Sequence, residues 1–249
     1  MQPHASSDGS LFSCRNITLD LGGRSILREI SLDVAPGEVL GIIGPNGAGK
    51  TSLFEVLSGR IPPKSGTIHF RGQDVTRLNL QRRARLGLGR TFQTPVVPEE
   101  LTVAEVLKAA RQAYKPYLTP DDSEWGADLV DFRIPGNVVA ERLDTLNRRK
   151  LLLTCLLMRR PALLLLDEPA AGLINSEIDE LDEIMRVLAK ELRIAIVLIE
   201  HRIELLETIA DRAMVMDAGE IVSSGTLAHV LSDPKVHAAY FELDVEEAA

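Results

Sequence analysis

Short apolar runs alternate along this chain with segments whose apolar residues recur at helical spacing. Residues 11–21 and 28–34 read as strands, with Gly22-Gly23 as the turn region between them and Pro36-Gly37 as a second turn. Val39-Leu40-Gly41-Ile42-Ile43 is continuously apolar, which suits a strand buried on both faces, and residues 163–166 and 194–199 repeat that pattern. Residues 66–71, 213–216 and 221–223 are further strands. Helices are expected over residues 50–57, 80–86 (ended by Gly87), 102–114, 148–159 (ended by Pro161) and 176–191. In the third of these, Val103, Val106, Leu107 and Ala110 fall on one face. Residues 119–137, rich in Pro, Gly and Asp, read as a loop inside a smaller helical subdomain. The alternation predicts an α/β fold with a mainly parallel sheet.

Composition narrows the class. The chain has 249 residues, 45% apolar and 26% charged, as in ordinary globular proteins, and only 4% aromatic, so its core rests on Leu, Ile, Val and Ala. A net charge of −8 leaves no basic excess for broad phosphate neutralisation and argues against a nucleic-acid partner. The basic clusters Arg82-Arg83-Ala84-Arg85 and Arg148-Arg149-Lys150 read as solvated helix faces. Two cysteines, Cys14 and Cys155, exclude a disulfide framework and read as buried free thiols. The first ten residues lack the apolar segment of a signal peptide, and the longest apolar stretch is broken by Arg159-Arg160-Pro161. A cytoplasmic protein is expected, reaching a membrane only through a partner.

Two segments carry chemistry. Gly44-Pro45-Asn46-Gly47-Ala48-Gly49-Lys50-Thr51 fits the phosphate-binding pattern GxxxxGK(S/T), between a buried strand and a helix. The glycines let backbone N–H groups turn toward phosphates, and the helix adds its positive end. Lys50 would neutralise the β and γ phosphates, and the Thr51 hydroxyl would bind Mg²⁺. Further on, a leucine run delivers Asp167 and Glu168 to the carboxyl edge of the sheet, where ligands bind. Asp167 would hold the Mg²⁺ shell and Glu168 would activate the attacking water. Alone, an Asp-Glu-Pro sequence could equally be a helix start.

With both segments in hand, the chain resembles the ABC ATPases over nearly its whole length. Arg90-Thr91-Phe92-Gln93 is similar to the family's Q-loop, whose Gln93 would touch Mg²⁺ and water and sense the membrane partner. Ile199-Glu200-His201 is similar to the H-loop, with His201 reaching the γ-phosphate. Within the family the chain looks like the ATPases of branched-chain amino-acid importers and their urea and amide relatives. The signs are Gly22-Gly23, the run from Gly89 to Pro95, Asp167-Glu168-Pro169-Ala170-Ala171-Gly172-Leu173, and the tail from Gly225-Thr226 to Ala239-Tyr240. The resemblance implies one nucleotide-binding domain over residues 1–249. It would have a RecA-like core over about 11–92 and 160–249, an antiparallel β portion near the N-terminus, and a helical subdomain over about 93–159. ATP would be held by Gly44 through Thr51 and by the adjoining Ser52. By the same resemblance, two ATPase subunits sit on the cytoplasmic face of the membrane beneath two permease subunits, fed by an external solute-binding protein.

Three positions depart from the family pattern. Where the signature, usually close to LSGGQ, precedes the Asp167 strand, this chain has Leu143-Asp144-Thr145-Leu146-Asn147. In the family the signature faces the γ-phosphate held by the other subunit. A carboxylate at Asp144 would repel it by about 4 kcal/mol for unit charges about 4 Å apart at an effective dielectric near 20. Leu146 puts a side chain where close backbone approach is expected. Read locally, Asp144 is a helix N-cap for the N–H of Leu146 or Asn147. Leu21 stands where an aromatic often stacks on adenine, and Ile174 replaces a polar residue at the end of the D-loop. Together these predict an asymmetric ATPase subunit working with a non-identical second ATPase subunit. Other readings are a lipid or lipopolysaccharide exporter ATPase, a soluble non-transport ABC ATPase, and a regulatory nucleotide-binding module, the last disfavoured by Glu168 and His201.

Overall fold

Strand β1 (Phe12–Leu21) alternates buried and wetter side chains, as a strand with one covered face must. It pairs antiparallel with β2 (Arg24–Val34), so the hairpin starts earlier than the apolar pattern indicated, with Leu21 opposite Arg24 across Gly22-Gly23. The computed structural model describes residues 9–92 and 97–236.

Strand β3 (Val39–Ile43) is buried throughout and runs into helix α1 (Lys50–Ser58). Strands β4 (Ser65–Phe70) and β5 (Gln73–Asp74) complete a four-stranded antiparallel sheet ordered β2-β1-β4-β5. Helix α2 (Leu80–Arg85) leads to β6 (Leu88–Arg90), and helices α3 (Val103–Gln112), α4 (Pro120–Leu129) and α5 (Thr145–Leu157) follow. Then come β7 (Leu163–Asp167), α6 (Asn175–Arg186), β8 (Ala195–Ile199), α7 (Ile203–Ile209), β9 (Arg212–Asp217) and β10 (Glu220–Gly225). Short helices α8 (Leu227–Leu231) and α9 (Pro234–Val236) close the described chain.

The second sheet is ordered β10-β9-β3-β8-β7-β6 and is parallel except for β10. The fold is thus the expected α/β arrangement, a mainly parallel sheet with an antiparallel sheet beside it. Its central strands β3, β7 and β8 are covered on both faces, which explains their unbroken Val, Ile and Leu. One apolar cluster lies between the two sheets and includes Phe12, Phe54, Ile42 and Leu165. The other lies under α5, α6 and α7 and includes Leu146, Leu151, Leu164 and Leu198. Among the described residues no helix is long and apolar enough to cross a membrane.

The structure corrects two expectations. Residues 119–137 are not a loop: α4 occupies Pro120–Leu129, opened by Thr119, whose hydroxyl accepts from the Asp122 N–H while the Asp122 carboxylate accepts from the Thr119 N–H. The basic clusters are not simply solvated. Arg83 is fully buried, and its guanidinium donates to the carbonyls of Val56, Leu57, Thr76 and Leu78, two of them at the end of α1. Stranding those acceptors costs about 1–3 kcal/mol for each one left unpaired. Lys150 is buried as well, donating to the Asp131 carbonyl and pairing with Glu180.

Candidate functional site

The loop between β3 and α1 is set by backbone geometry that side chains oppose. Gly44 has φ +151°, and a Cβ there would fall 2.1 Å from the Met216 carbonyl oxygen. Gly49, the residue before α1, is left-handed at φ 99° and supplies no side-chain cap. The first N–H groups of α1, from Lys50, Thr51 and Ser52, therefore face the loop mouth with the helix dipole behind them, an arrangement that can receive an anion. Lys50 folds back into the loop, donating to the carbonyls of Gly44 at 2.6 Å and Pro45 at 3.0 Å. Burial pulls its ammonium below the usual lysine range, against the opposing pull of Glu168 and Asp167. Thr51 is exposed at the mouth.

Asp167 ends β7. It is only 3% exposed, and neither of its carboxylate oxygens has a hydrogen-bond partner among the described residues. Burial raises its pKa to about 6, partly offset by the Arg90 guanidinium. Arg90, also buried, donates to the Phe54 carbonyl, the Ser58 hydroxyl at 2.7 Å and the Glu55 carboxylate at 2.7 Å, and its Nε has no partner among the described residues. The orphaned carboxylate of Asp167 and the exposed hydroxyl of Thr51 are oxygen ligands of the kind a hard cation takes. No group of three or more His, Cys, Asp or Glu side chains with metal-site geometry occurs among the described residues. The donor set therefore fits Mg²⁺ held by one carboxylate, one hydroxyl and the phosphates of a nucleotide.

Glu168 sits one residue beyond the strand in a left-handed conformation, φ +48°, its N–H donating to the Ile199 carbonyl at 2.9 Å. Its Oε1 lies 3.2 Å from His201 Nε2, so the structure brings these two predicted residues together. Glu200 is almost fully buried and binds the backbone on both sides of the pair, accepting from the Ala170 N–H at 2.8 Å and the His201 N–H at 3.1 Å. Arg149 of α5 donates to the carbonyls of Pro169 and Ala171. Sequence reasoning assigned no part in the site to Glu200, Arg149 or Arg90; the one available signal was a charge at the edge of a buried strand or within a motif. Gln93, with Thr94 and Pro95 of the same run and Ala239-Tyr240 of the tail, lies outside the described residues.

Leu143-Asp144-Thr145-Leu146-Asn147 forms the start of α5. Asp144 is the N-cap, its Oδ1 accepting from the Asn147 N–H at 2.7 Å and its Oδ2 from the Asn147 side-chain amide at 2.8 Å. The helix therefore begins at Thr145, earlier than its apolar pattern indicated. Leu146 turns its side chain into the core, 7% exposed, instead of covering the outer surface of the turn. The start of α5 thus carries the Asp144 charge and a capped amide, with the Leu146 side chain turned away from its outer surface. Leu21 and Ile174 are exposed, at 42% and 66%.

Residues 27–171 match the ABC transporter family. The branched-chain amino-acid transport ATP-binding protein LivG of Escherichia coli K12 is 34% identical, the match spanning 92% of this chain and 97% of LivG. BraF of Pseudomonas aeruginosa, described in the same terms, is 32% identical over 90% of this chain and 94% of its own. The ADP conformation of MJ1267, an ATP-binding cassette of an ABC transporter, superposes with a TM-score of 0.85 at 26% identity, covering 93% of this chain and 98% of that one.

Proposed function

The chain belongs to the ABC transporter family as an ATP-binding subunit, and from that premise we propose that it powers an importer of amino acids or related small polar solutes as the asymmetric half of an ATPase heterodimer. The similarity to LivG and BraF supports the solute class. In this reading residues 11–92 and 160–249 form the nucleotide-binding core, and residues 93–159 the helical unit that meets the partner ATPase and the permease. The complex lies on the cytoplasmic face of the inner membrane and receives solute from an external binding protein.

The geometry supports the following roles. Lys50 and the amides from Gly44 to Ser52 cradle the β and γ phosphates, and Leu21 offers an aliphatic contact to the base. Thr51 and Asp167, with Gln93, would hold Mg²⁺, which would supply positive charge against the phosphates. Glu168 takes a proton from the attacking water, and His201, 3.2 Å away, orients that carboxylate and reaches toward the γ-phosphate.

The observation that carries the asymmetry is the Asp144 cap. A carboxylate closes the α5 N-terminus by holding the Asn147 N–H, so this chain has an anion where its partner's nucleotide needs free amides. Its own nucleotide would be completed by an intact signature from a different subunit. Purifying the complex through a tag on this chain and identifying its subunits tests the reading. A second, non-identical ATPase subunit in one-to-one ratio is expected; a homodimer with full activity would overturn it.

A further inference from the structure

We infer that Glu200 is a positioning residue for the pair formed by Glu168 and His201, and that Arg149 extends its hold to helix α5; the inference rests on the reading of that pair as catalytic. Glu200 is 2% exposed, and a carboxylate so deeply buried is expensive unless its oxygens are occupied. Here both are. Oε1 accepts from the Ala170 N–H at 2.8 Å, and Oε2 from the His201 N–H at 3.1 Å, with the Arg202 N–H at 3.5 Å as a weak third donor. Ala170 lies in the turn that follows Glu168, so one carboxylate ties the backbone carrying the base to the backbone carrying the histidine.

That turn needs external support. Glu168 has φ +48°, a conformation that residues bearing a Cβ resist and that persists only where the surroundings over-determine it. From β8, the Ile199 carbonyl holds the Glu168 N–H, and within the turn the Ala171 N–H donates to the Glu168 carbonyl. Glu200 fixes Ala170. From α5, the Arg149 guanidinium grips the carbonyls of Pro169 and Ala171. Arg149 is partly buried, and the charges of Glu200 and Glu177 act on it favourably. Residues 169–171 are thus clamped between an acid on one side and a base on the other. Helix α5 begins at Thr145, after its Asp144 cap, and carries Arg149 just beyond its first turn. A displacement of α5 would therefore pull on the backbone of residues 169 and 171, and so on the carboxylate of Glu168.

The test uses the complex purified through a tag on this chain, carrying Glu200→Gln, Glu200→Asp or Arg149→Gln, with Glu168→Gln as control. Glutamine can accept one N–H but presents an amide hydrogen to the other; aspartate keeps the charge but reaches only one. Equilibrium ATP binding should stay within about twofold, because the phosphate loop is untouched. The single-turnover rate should fall at least about tenfold in Glu200→Gln and Arg149→Gln, and less in Glu200→Asp, since displacing a reacting group by a fraction of an ångström acts on the rate. Backbone hydrogen exchange should rise in peptides covering residues 168–173 and 200–203 and not elsewhere. A Glu200→Gln rate within about twofold of wild type, in a complex that Glu168→Gln silences, overturns this inference alone. Loss of rate with an equal loss of ATP binding and a general rise in exchange also overturns it, by making Glu200 merely structural. Turnover retained in Glu168→Gln refutes the catalytic pair and the inference with it.

Discussion

Replacing Asp144 with Asn separates the charge of this residue from its capping. Asparagine caps a helix as well as aspartate does, and the Asn147 side-chain amide can rotate to offer its oxygen to the new amide, so the start of α5 should survive. Thermal unfolding should move by less than about 0.5 kcal/mol. What changes is the repulsion of a phosphate on the partner. For unit charges about 4 Å apart it is about 1 kcal/mol at the dielectric of water and about 4 kcal/mol at an effective dielectric near 20. Asp144 is exposed in the isolated chain, so the lower figure applies to the open interface and the upper to a closed one. These values correspond to roughly 5-fold and roughly 1,000-fold tighter nucleotide binding at that site. The assay is calorimetric titration of ATP into a complex held inactive by Glu168→Gln, at low salt and near 0.5 M salt. A gain confined to the weaker of two binding steps is expected; one that shrinks in high salt marks an open, screened interface, and one that persists marks a closed one. Equal affinities for both variants at both salts would refute the placement of Asp144 against a phosphate.

Other outcomes follow from the same geometry. Glu168→Gln should abolish steady-state hydrolysis while ATP still binds, and Lys50→Ala should weaken binding itself, because its ammonium sits inside the loop against the Gly44 and Pro45 carbonyls; filter binding and phosphate release separate the two. Asp167 titrates near 6 when folded against an ordinary 3.8, so its burial destabilises the nucleotide-free fold progressively as pH rises between those values and fully above them. Asp167→Asn should therefore raise the unfolding free energy above pH 6 by up to about 3 kcal/mol, with no gain near pH 3, and should abolish Mg²⁺-dependent nucleotide binding; chemical denaturation across pH reads the first effect. Burial holds the Cys14 and Cys155 thiols at about 12, leaving a thiolate fraction on the order of 10⁻⁴ at pH 8, so both should react slowly with a disulfide reagent until the protein is unfolded.

Much of this site was legible because its parts are local. Gly44, Gly49 and Lys50 are fixed by the conformation of one loop, and Asp167 by its place at the end of a leucine strand. The Asp144 cap was equally local, since the N-cap carboxylate and the N–H that donates to it lie three residues apart. Helix α4 was misread because Pro120 and Gly126 look like breakers, although Pro120 stands at the first helical turn, where it is tolerated. Gly126 answers to a tertiary demand: a Cβ there would come within 3.0 Å of the Thr154 carbonyl oxygen, so the glycine is what lets α4 lie against α5. Arg83, Arg149 and Lys150 were hidden for the same reason. Their partners are carbonyls and carboxylates supplied by other elements, and no spacing within one helix reveals them. Glu200 stood in plain view beside His201, but the bond it accepts from the Ala170 N–H exists only after β7 and β8 have paired.

The central claim, that one of two composite sites hydrolyses and the other does not, is tested most directly by counting ATP cleaved in a single turnover of the purified complex. The count should be one ATP per complex, falling to zero with Glu168→Gln in this chain. Two ATP per complex, with half of the activity surviving Glu168→Gln, would mean that the sites are equivalent and that Asp144 leaves its site competent.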